Sequence, residues 1–360
     1  MAVSDNAANI KLAITHILQM KHFGCFAHTI NLIVQDGIAE ISDLTEKVRK
    51  IVSHFRRSST AQTKLYLYQK NVQREQQKLI LDVVTRWNST YYMLSRFFQL
   101  KDAVRSTVAL LDKELPIVSS DEWLAIEEVI NILKPFEQIT NILSGEKYVT
   151  GSLVIVFSNG LKNVMEKICS KGTKVPQIAS LCLTLQKGLK NQLQNFEKSK
   201  TLIVSTMLDP RFKSISFESE IAAVIGKDFI INAISNKLAK EAQEQEKTMH
   251  QHHSDDFHVG QTEDPDSTIN VDIWSFHDAR AAAVRPIEGT FRSKAIIEFN
   301  RYNEDEILKR HMDPLMWWKA NRHNYPNLSE VVRDLFCTVG TSVPCQRYKN
   351  VQKNKKINLK

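Results

Sequence analysis

Apolar positions recur along most of this chain at the three- and four-residue spacing of helices with one buried face. The first such stretch follows Ser4-Asp5-Asn6-Ala7-Ala8-Asn9. There Ser4, Asp5 or Asn6 can accept bonds from free first-turn amides, and Ile10, Ala13, Ile14, Ile17 and Leu18 follow at helical spacing. A short apolar segment, Gly24 to Val34, leads into a second helix. Residues 38–78 read as further helices with a basic stretch of Lys47, Arg49, Lys50, Arg56 and Arg57, either a solvated face or a phosphate-contacting one. Asn88 or Ser89 can cap a helix whose apolar face holds Tyr92, Met93, Leu94, Phe97, Phe98 and Leu100.

From Asp82 to about Glu246 the pattern is almost wholly helical. Ser119-Ser120-Asp121-Glu122 makes a capping box ahead of Trp123, Ile126, Ile130 and Leu133, and Pro135 is expected to kink or end that helix. Breaks at Gly145–Gly151 and Gly172–Pro176 separate two more helices, Leu153–Ile168 and Ile178–Phe196. The run Leu202 to Leu208 fits a strand or a buried helix, and Asp209-Pro210 turns the chain after it. Residues 241–272 then change character, with Glu, Gln, His and Asp dominant, as in a solvated linker. Its histidines, His250, His252, His253 and His258, have no fixed geometry for a metal. Order returns at Asp313-Pro314, an N-cap followed by proline at the first helical position. Leu315, Trp317 and Trp318 give an aromatic face, as dimer anchor or core wedge, and Asn327-x-x-Glu330 opens a helix with Val331, Val332, Leu335 and Phe336 inward.

Composition narrows the class. At 360 residues and 42% hydrophobic, the chain exceeds one usual domain and can bury a sizeable core. The net charge of +8 favours an anionic partner. The acid-free tail after Gln346, with Arg347, Lys349, Lys353, Lys355, Lys356 and Lys360, is expected to be disordered and to add non-specific attraction to nucleic acid. No apolar run approaches the roughly 18 residues of a membrane span, and the N-terminus has no secretory pattern. Five scattered cysteines without a C-x-x-C pair support neither a disulfide framework nor a zinc finger, and point to a reducing compartment, cytosol or nucleus. Cys25-x-x-His28 supplies two of the four ligands that structural zinc needs, so His28 is expected to be a buried, hydrogen-bonded side chain. No P-loop, G-x-S-x-G or H-E-x-x-H is present, and nothing indicates a cofactor or a small-molecule substrate.

The densest motif is Leu81-Asp82-Val83-Val84-Thr85-Arg86-Trp87-Asn88-Ser89-Thr90-Tyr91-Tyr92-Met93-Leu94. Arg86 beside Trp87 sets a planar cation next to the largest aromatic surface, a pair that stacks on a base or on itself at a seam. This block resembles the signature of the hAT transposase superfamily, in particular the zinc-finger BED-type genes derived from it. So do Asp5-Asn6-Ala7-Ala8-Asn9, Cys25-Phe26-Ala27-His28-Thr29-Ile30-Asn31-Leu32, Leu208-Asp209-Pro210-Arg211-Phe212-Lys213, and Asp313 to Leu328, in that order along the chain.

The resemblance implies a mainly α fold, with an incomplete RNase H-like core split by a large all-helical insertion domain. The corresponding layout is 1–78 for the remnant core, 79–245 for the insertion, 246–272 for a linker, 273–345 for the dimerisation region and 346–360 for a basic tail. Family members cut and join DNA with three carboxylates that hold two divalent metals. Asp5 falls on the second, the first lies upstream of anything present, and Gln346 stands where the third, a glutamate, belongs. A neutral amide does not supply that charge, so no catalysis and no bound metal are expected. The resemblance assigns DNA contact to Arg86 and Trp87, and self-association to Leu315, Trp317, Trp318, Tyr325, Leu328, Val332 and Leu335. Expected partners are a second or further copy of the chain and double-stranded DNA, in the nucleus or the cytoplasm. Two alternatives stand: a protein-interaction scaffold without DNA affinity, and a transposase fragment active only with other chains.

Overall fold

The computed structural model describes residues 2–5, 7–111, 114–143, 150–252 (backbone alone from 245), 274, 277, 280, 290–336 and 339–342. The fold is mainly helical, in two compact units.

Unit one holds residues up to Thr206, Ile215–Ser219 and the described residues 339–342. Strands β1 (Ala2–Ser4) and β2 (His22–Gly24) pair in parallel, with Ala2 opposite His22 and Ser4 opposite Gly24. Parallel strands need a crossover, supplied by α1 (Ala8–Leu12) and a π-helical turn, Ala13–Ile17. Ser4 lies in β1 and the N-cap position is Ala7, without a side-chain bond, while the expected cap Asn6 lies outside the described residues. Ile14 is buried, whereas Ile10, Leu12, Ile17 and Leu18 are exposed. The wider π turn shifts the register that a 3.6-residue reading assumes.

The rest of unit one comprises α2 (Phe26–Ala39), α3 (Ser42–Arg57), α4 (Ser59–Asn71), α5 (Trp87–Gln99), α6 (Lys101–Val108), α7 (Ser120–Leu143), α8 (Leu153–Lys171), α9 (Pro176–Leu193) and most of α10 (Lys200–Met207). The capping box of α7 is formed as expected: Ser119 Oγ accepts from the Glu122 amide at 3.2 Å, and Glu122 Oε2 from the Ser119 amide at 2.8 Å. Pro135, however, does not end α7, which runs through it to Leu143. Ile132, Leu133 and Phe136 are buried around it, and such burial outweighs the roughly 3 kcal/mol cost of an internal proline. The 202–208 run is helical, with Leu202, Ile203, Val204 and Met207 all buried. Helix α2 packs on α9, and only a glycine fits at 188, where a Cβ would lie 2.9 Å from Ile33 Cγ2. Because α2 also packs on α5 and α7, the helices of 26–71 share one core with those of 87–206, and no compact border falls at 78.

Unit two holds Met207–Ser214 and Glu220–Phe336. Helix α11 (Glu220–His252) packs along α12 (Phe291–Glu304) and α14 (Pro326–Leu335), with α13 (Pro314–Asn321) between the latter two in sequence. Its end reaches past 246, where straight-chain Glu, Gln and Lys favour helix; residues 253–272 lie outside the described ones. Asp313 caps α13 as expected, its Oδ1 accepting from the Leu315 amide at 2.8 Å. Helix α14 is capped from outside instead. Glu298 accepts from the Leu328 amide at 2.8 Å and the Asn327 side chain at 2.7 Å, while Glu330 pairs with Lys237.

Candidate functional site

The Asp82–Thr90 segment is built from the inside outward. Arg49 of α3 donates to Asp82 through Nε at 2.9 Å and Nη2 at 2.8 Å, and Thr90 Oγ1 donates to the same carboxylate at 3.0 Å. The Asp82 side chain is 0% exposed. Burial pushes its carboxyl upward, but the bonds from Arg49 and Thr90 outweigh this and hold it below the ordinary aspartate value. Arg49 is raised in turn, chiefly by its bond to Asp82.

Above this anchor the chain makes a β-turn, with the Arg86 amide donating to Val83 O at 2.8 Å. Ser89, expected as a cap, instead bonds back to Val83 N and O, both at 2.8 Å, and to Arg86 O at 2.7 Å. Arg86 is the N-cap of α5, which starts at Trp87 itself, earlier than expected. Gln35 of α2 donates to Val84 O at 3.4 Å, and Asn31 of the Cys-x-Ala-His block accepts from the Trp87 amide at 3.4 Å.

The neighbouring residues of the expected pair therefore part company. Arg86 is exposed. Trp87 is 2% exposed, edge-on to Phe136 and Tyr91 at centroid distances of 6.5 and 6.4 Å. Its expected role as a base-stacking platform is not compatible with this burial: in this fold the indole anchors the turn and shows no face to a ligand. Sequence reasoning also missed Arg49, treated above as one of a surface run, because nothing local links it to Asp82.

A second cluster lies at the ends of β1 and β2. The Cys25 amide donates to Ser4 O, the Phe26 amide to Gly340 O at 3.0 Å and the Ser342 amide to Cys25 Sγ at 3.4 Å. Gly340 is required here, since a Cβ would meet Val154 Cγ2 at 2.6 Å and Thr150 O at 2.9 Å. Thus the block before Gln346 returns beside Cys25 and Phe26, while Gln346 itself lies outside the described residues. Asp5 Oδ1 is buried without a hydrogen-bond partner, and His22 Nε2 is 2.9 Å from Ser4 Oγ. Among the described residues no group of three His, Cys, Asp or Glu could hold a metal ion. A lone carboxylate does not fit a two-metal centre. Cys25 is buried and His28 only half-buried, so the expectation of a buried histidine is corrected by its place at the edge of α2.

In unit two the Leu-Asp-Pro-Arg-Phe-Lys block and the aromatic block interlock. Asp209 takes Arg211 Nε at 2.8 Å and Nη2 at 2.6 Å, with both residues buried. Lys213, at a left-handed φ of 45°, gives its ammonium to Tyr302 O and Asp305 O, each at 2.6 Å. Burial draws its pKa below the usual lysine value, with Asp305 opposing. Trp318 Nε1 donates to Leu208 O at 2.9 Å and the Tyr302 hydroxyl to Met207 O at 3.1 Å. Burial, then the bond to Asp305, drives the Tyr325 hydroxyl well above its ordinary value. Of the residues expected to mediate self-association, Trp318, Tyr325, Leu328 and Val332 are buried within the unit, Trp317 and Leu335 are half-buried, and Leu315 is exposed beside Met316. In the single chain the buried four lie in the core of the unit, where Trp318 bonds Leu208 O and Tyr325 packs edge-on to Tyr302.

These blocks define a class. The ZBED1 RNase-like helical domain matches residues 23–132, and the hAT family C-terminal dimerisation region matches residues 298–358. Over these two segments the chain is similar to hAT-family, transposase-derived proteins, and the second segment matches their dimerisation region. It is 28% identical over 323 residues to zinc finger BED domain-containing protein 4 of Homo sapiens, covering 87% of this chain and 25% of that protein. A Zea mays protein named for the AC transposase is 24% identical over 337 residues, covering 87% and 38%. Zinc finger BED domain-containing protein RICESLEEPER 2 of Oryza sativa subsp. japonica is 22% identical over 330 residues, covering 86% and 44%. The chain thus spans between a quarter and less than half the length of these relatives.

Proposed function

We propose that the chain is a catalytically inactive, nuclear, nucleic-acid-binding protein that self-associates through its C-terminal unit. The observation that carries the binding half is the exposed Arg86, held on a turn that α2, α3 and α5 all pin. Between residues 76 and 90 the only acid is Asp82, and it is buried and neutralised, so Lys78 and Arg86 face solvent unopposed by an acid of that segment. Self-association rests on the matched dimerisation region and on exposed Leu315 and Met316 of α13. Inactivity rests on the donor set around Asp5, one carboxylate among the described residues where a metal pair needs three.

The test is fluorescence anisotropy of the purified chain on duplex DNA at several salt concentrations, with light-scattering mass on the same sample. Affinity is expected to fall steeply with salt, and Arg86→Ala to weaken it about fivefold to tenfold while lowering the salt slope by about one. A folded oligomer with no duplex affinity would leave only the interaction-scaffold reading. L315S/M316S is expected to shift the mass toward monomer. No Mg²⁺- or Mn²⁺-dependent nicking is expected; nicking that disappears in Asp5→Ala would overturn the inactive assignment.

A further inference from the structure

Val83 and Val84 are 53% and 66% exposed, side by side at the head of the turn that carries Arg86. Apolar β-branched side chains at a turn tip normally give way to Gly, Asn, Asp or Ser, which solvate well there. Here the turn is over-determined rather than loose: Ser89 holds Val83 from both backbone sides, Gln35 holds Val84 O, and Arg49 anchors Asp82 from below. Ordering such a turn costs conformational entropy, and its own two valines bury little in return. The apolar tip is flanked along the chain by Leu81 at 40% exposure and by the cations Lys78 and Arg86, with no exposed acid between them.

We infer that the Val83–Val84 tip is a pre-formed apolar wedge that enters the base stack of a duplex at a flexible step, while Lys78 and Arg86 hold the flanking phosphates. This rests on the nucleic-acid reading above and adds a mode of contact to it. Apolar wedges at base steps unstack and kink a duplex, and pyrimidine–purine steps yield most easily. A rigid wedge loses less entropy on insertion than a loose one, which gives the network under the turn a purpose that capping α5 alone does not need. Charge favours this partner over an apolar protein groove, because the cations beside the tip would otherwise be desolvated unpaired.

The test uses the full chain and a short duplex carrying 2-aminopurine at a central TA step, whose fluorescence rises on unstacking. The wild-type protein is expected to raise the signal severalfold at saturation. V83S/V84S is expected to lose most of that rise and about tenfold in affinity, yet keep the wild-type salt slope. Arg86→Ala should do the reverse, keeping the rise at saturation while reducing the salt slope. Both valines are exposed, so the double variant should fold, which circular-dichroism melting checks. Duplex binding with no fluorescence rise, or with the same rise and affinity in V83S/V84S, would overturn the wedge and leave the binding reading intact. No duplex binding at all would remove the binding reading, and the wedge with it.

Discussion

Two segments of this molecule share a grammar, an aspartate gripped by an arginine beneath a run of apolar residues, and differ in what they bury. In unit two, Asp209, Arg211 and Lys213 are all inside: the Asp209 carboxylate accepts from the Arg211 guanidinium, and Lys213 donates to two backbone carbonyls. In unit one, Asp82 is inside while Val83, Val84 and Arg86 stand outside. The first segment spends its chemistry on stability. The second uses a buried ion pair to hold exposed groups in place. A buried ion pair is weak evidence for net stability, but breaking one by removing a single partner is strongly unfavourable. The difference should therefore appear as two scales of mutational damage.

The largest loss is expected from Asp209→Ala, which strands the Arg211 guanidinium: about 4 kcal/mol in urea unfolding. Trp87→Ala should cost about 3 to 4 kcal/mol through the cavity it leaves, and should also loosen the turn. Retained stability in that variant would mean Trp87 is not the core residue described here. Asp82→Ala should cost less, about 2 kcal/mol, because Arg49 can turn its guanidinium to water. Equal costs for Asp209 and Asp82 would erase the contrast between the segments. The Asp82 contribution also has a pH signature. Its folded pKa lies below its unfolded value of about 3.9, so the stabilisation is complete above about pH 4 and disappears as pH falls through the lowered value. Asp82→Asn should accordingly show a flatter acid limb in denaturation measured from pH 5 downward. The smallest stability effect belongs to Arg86→Ala, within about 0.5 kcal/mol of wild type, since its side chain is exposed.

Much of the helical frame was legible from spacing alone, and Ser119–Glu122 and Asp313–Pro314 formed the caps their residues specify. Legibility failed where a distant side chain did the local work. Ser89 turned back to Val83 instead of opening α5, and Glu298 capped α14 in place of the Asn327–Glu330 pair. Pro135 failed to break α7 because buried neighbours on both sides held the helix. Among the site residues, Arg86 is exposed. Trp87 and Trp318 moved to the core, since an aromatic ring satisfies a core and a recognition surface equally well until its neighbours are known.

By itself the sequence determined the helical class, the order of the family blocks and the basic balance. These follow from local periodicity, residue identity and counting. Only tertiary structure decided which members of each block face outward. It brought Arg49 beneath Asp82, set Asn31 on the Trp87 amide, and closed the carbonyls of Leu208 and Met207 with Trp318 and Tyr302. Each pairing joins residues far apart in the chain. Burial and hydrogen bonding are settled by what the whole fold places nearby, and no local spacing encodes that.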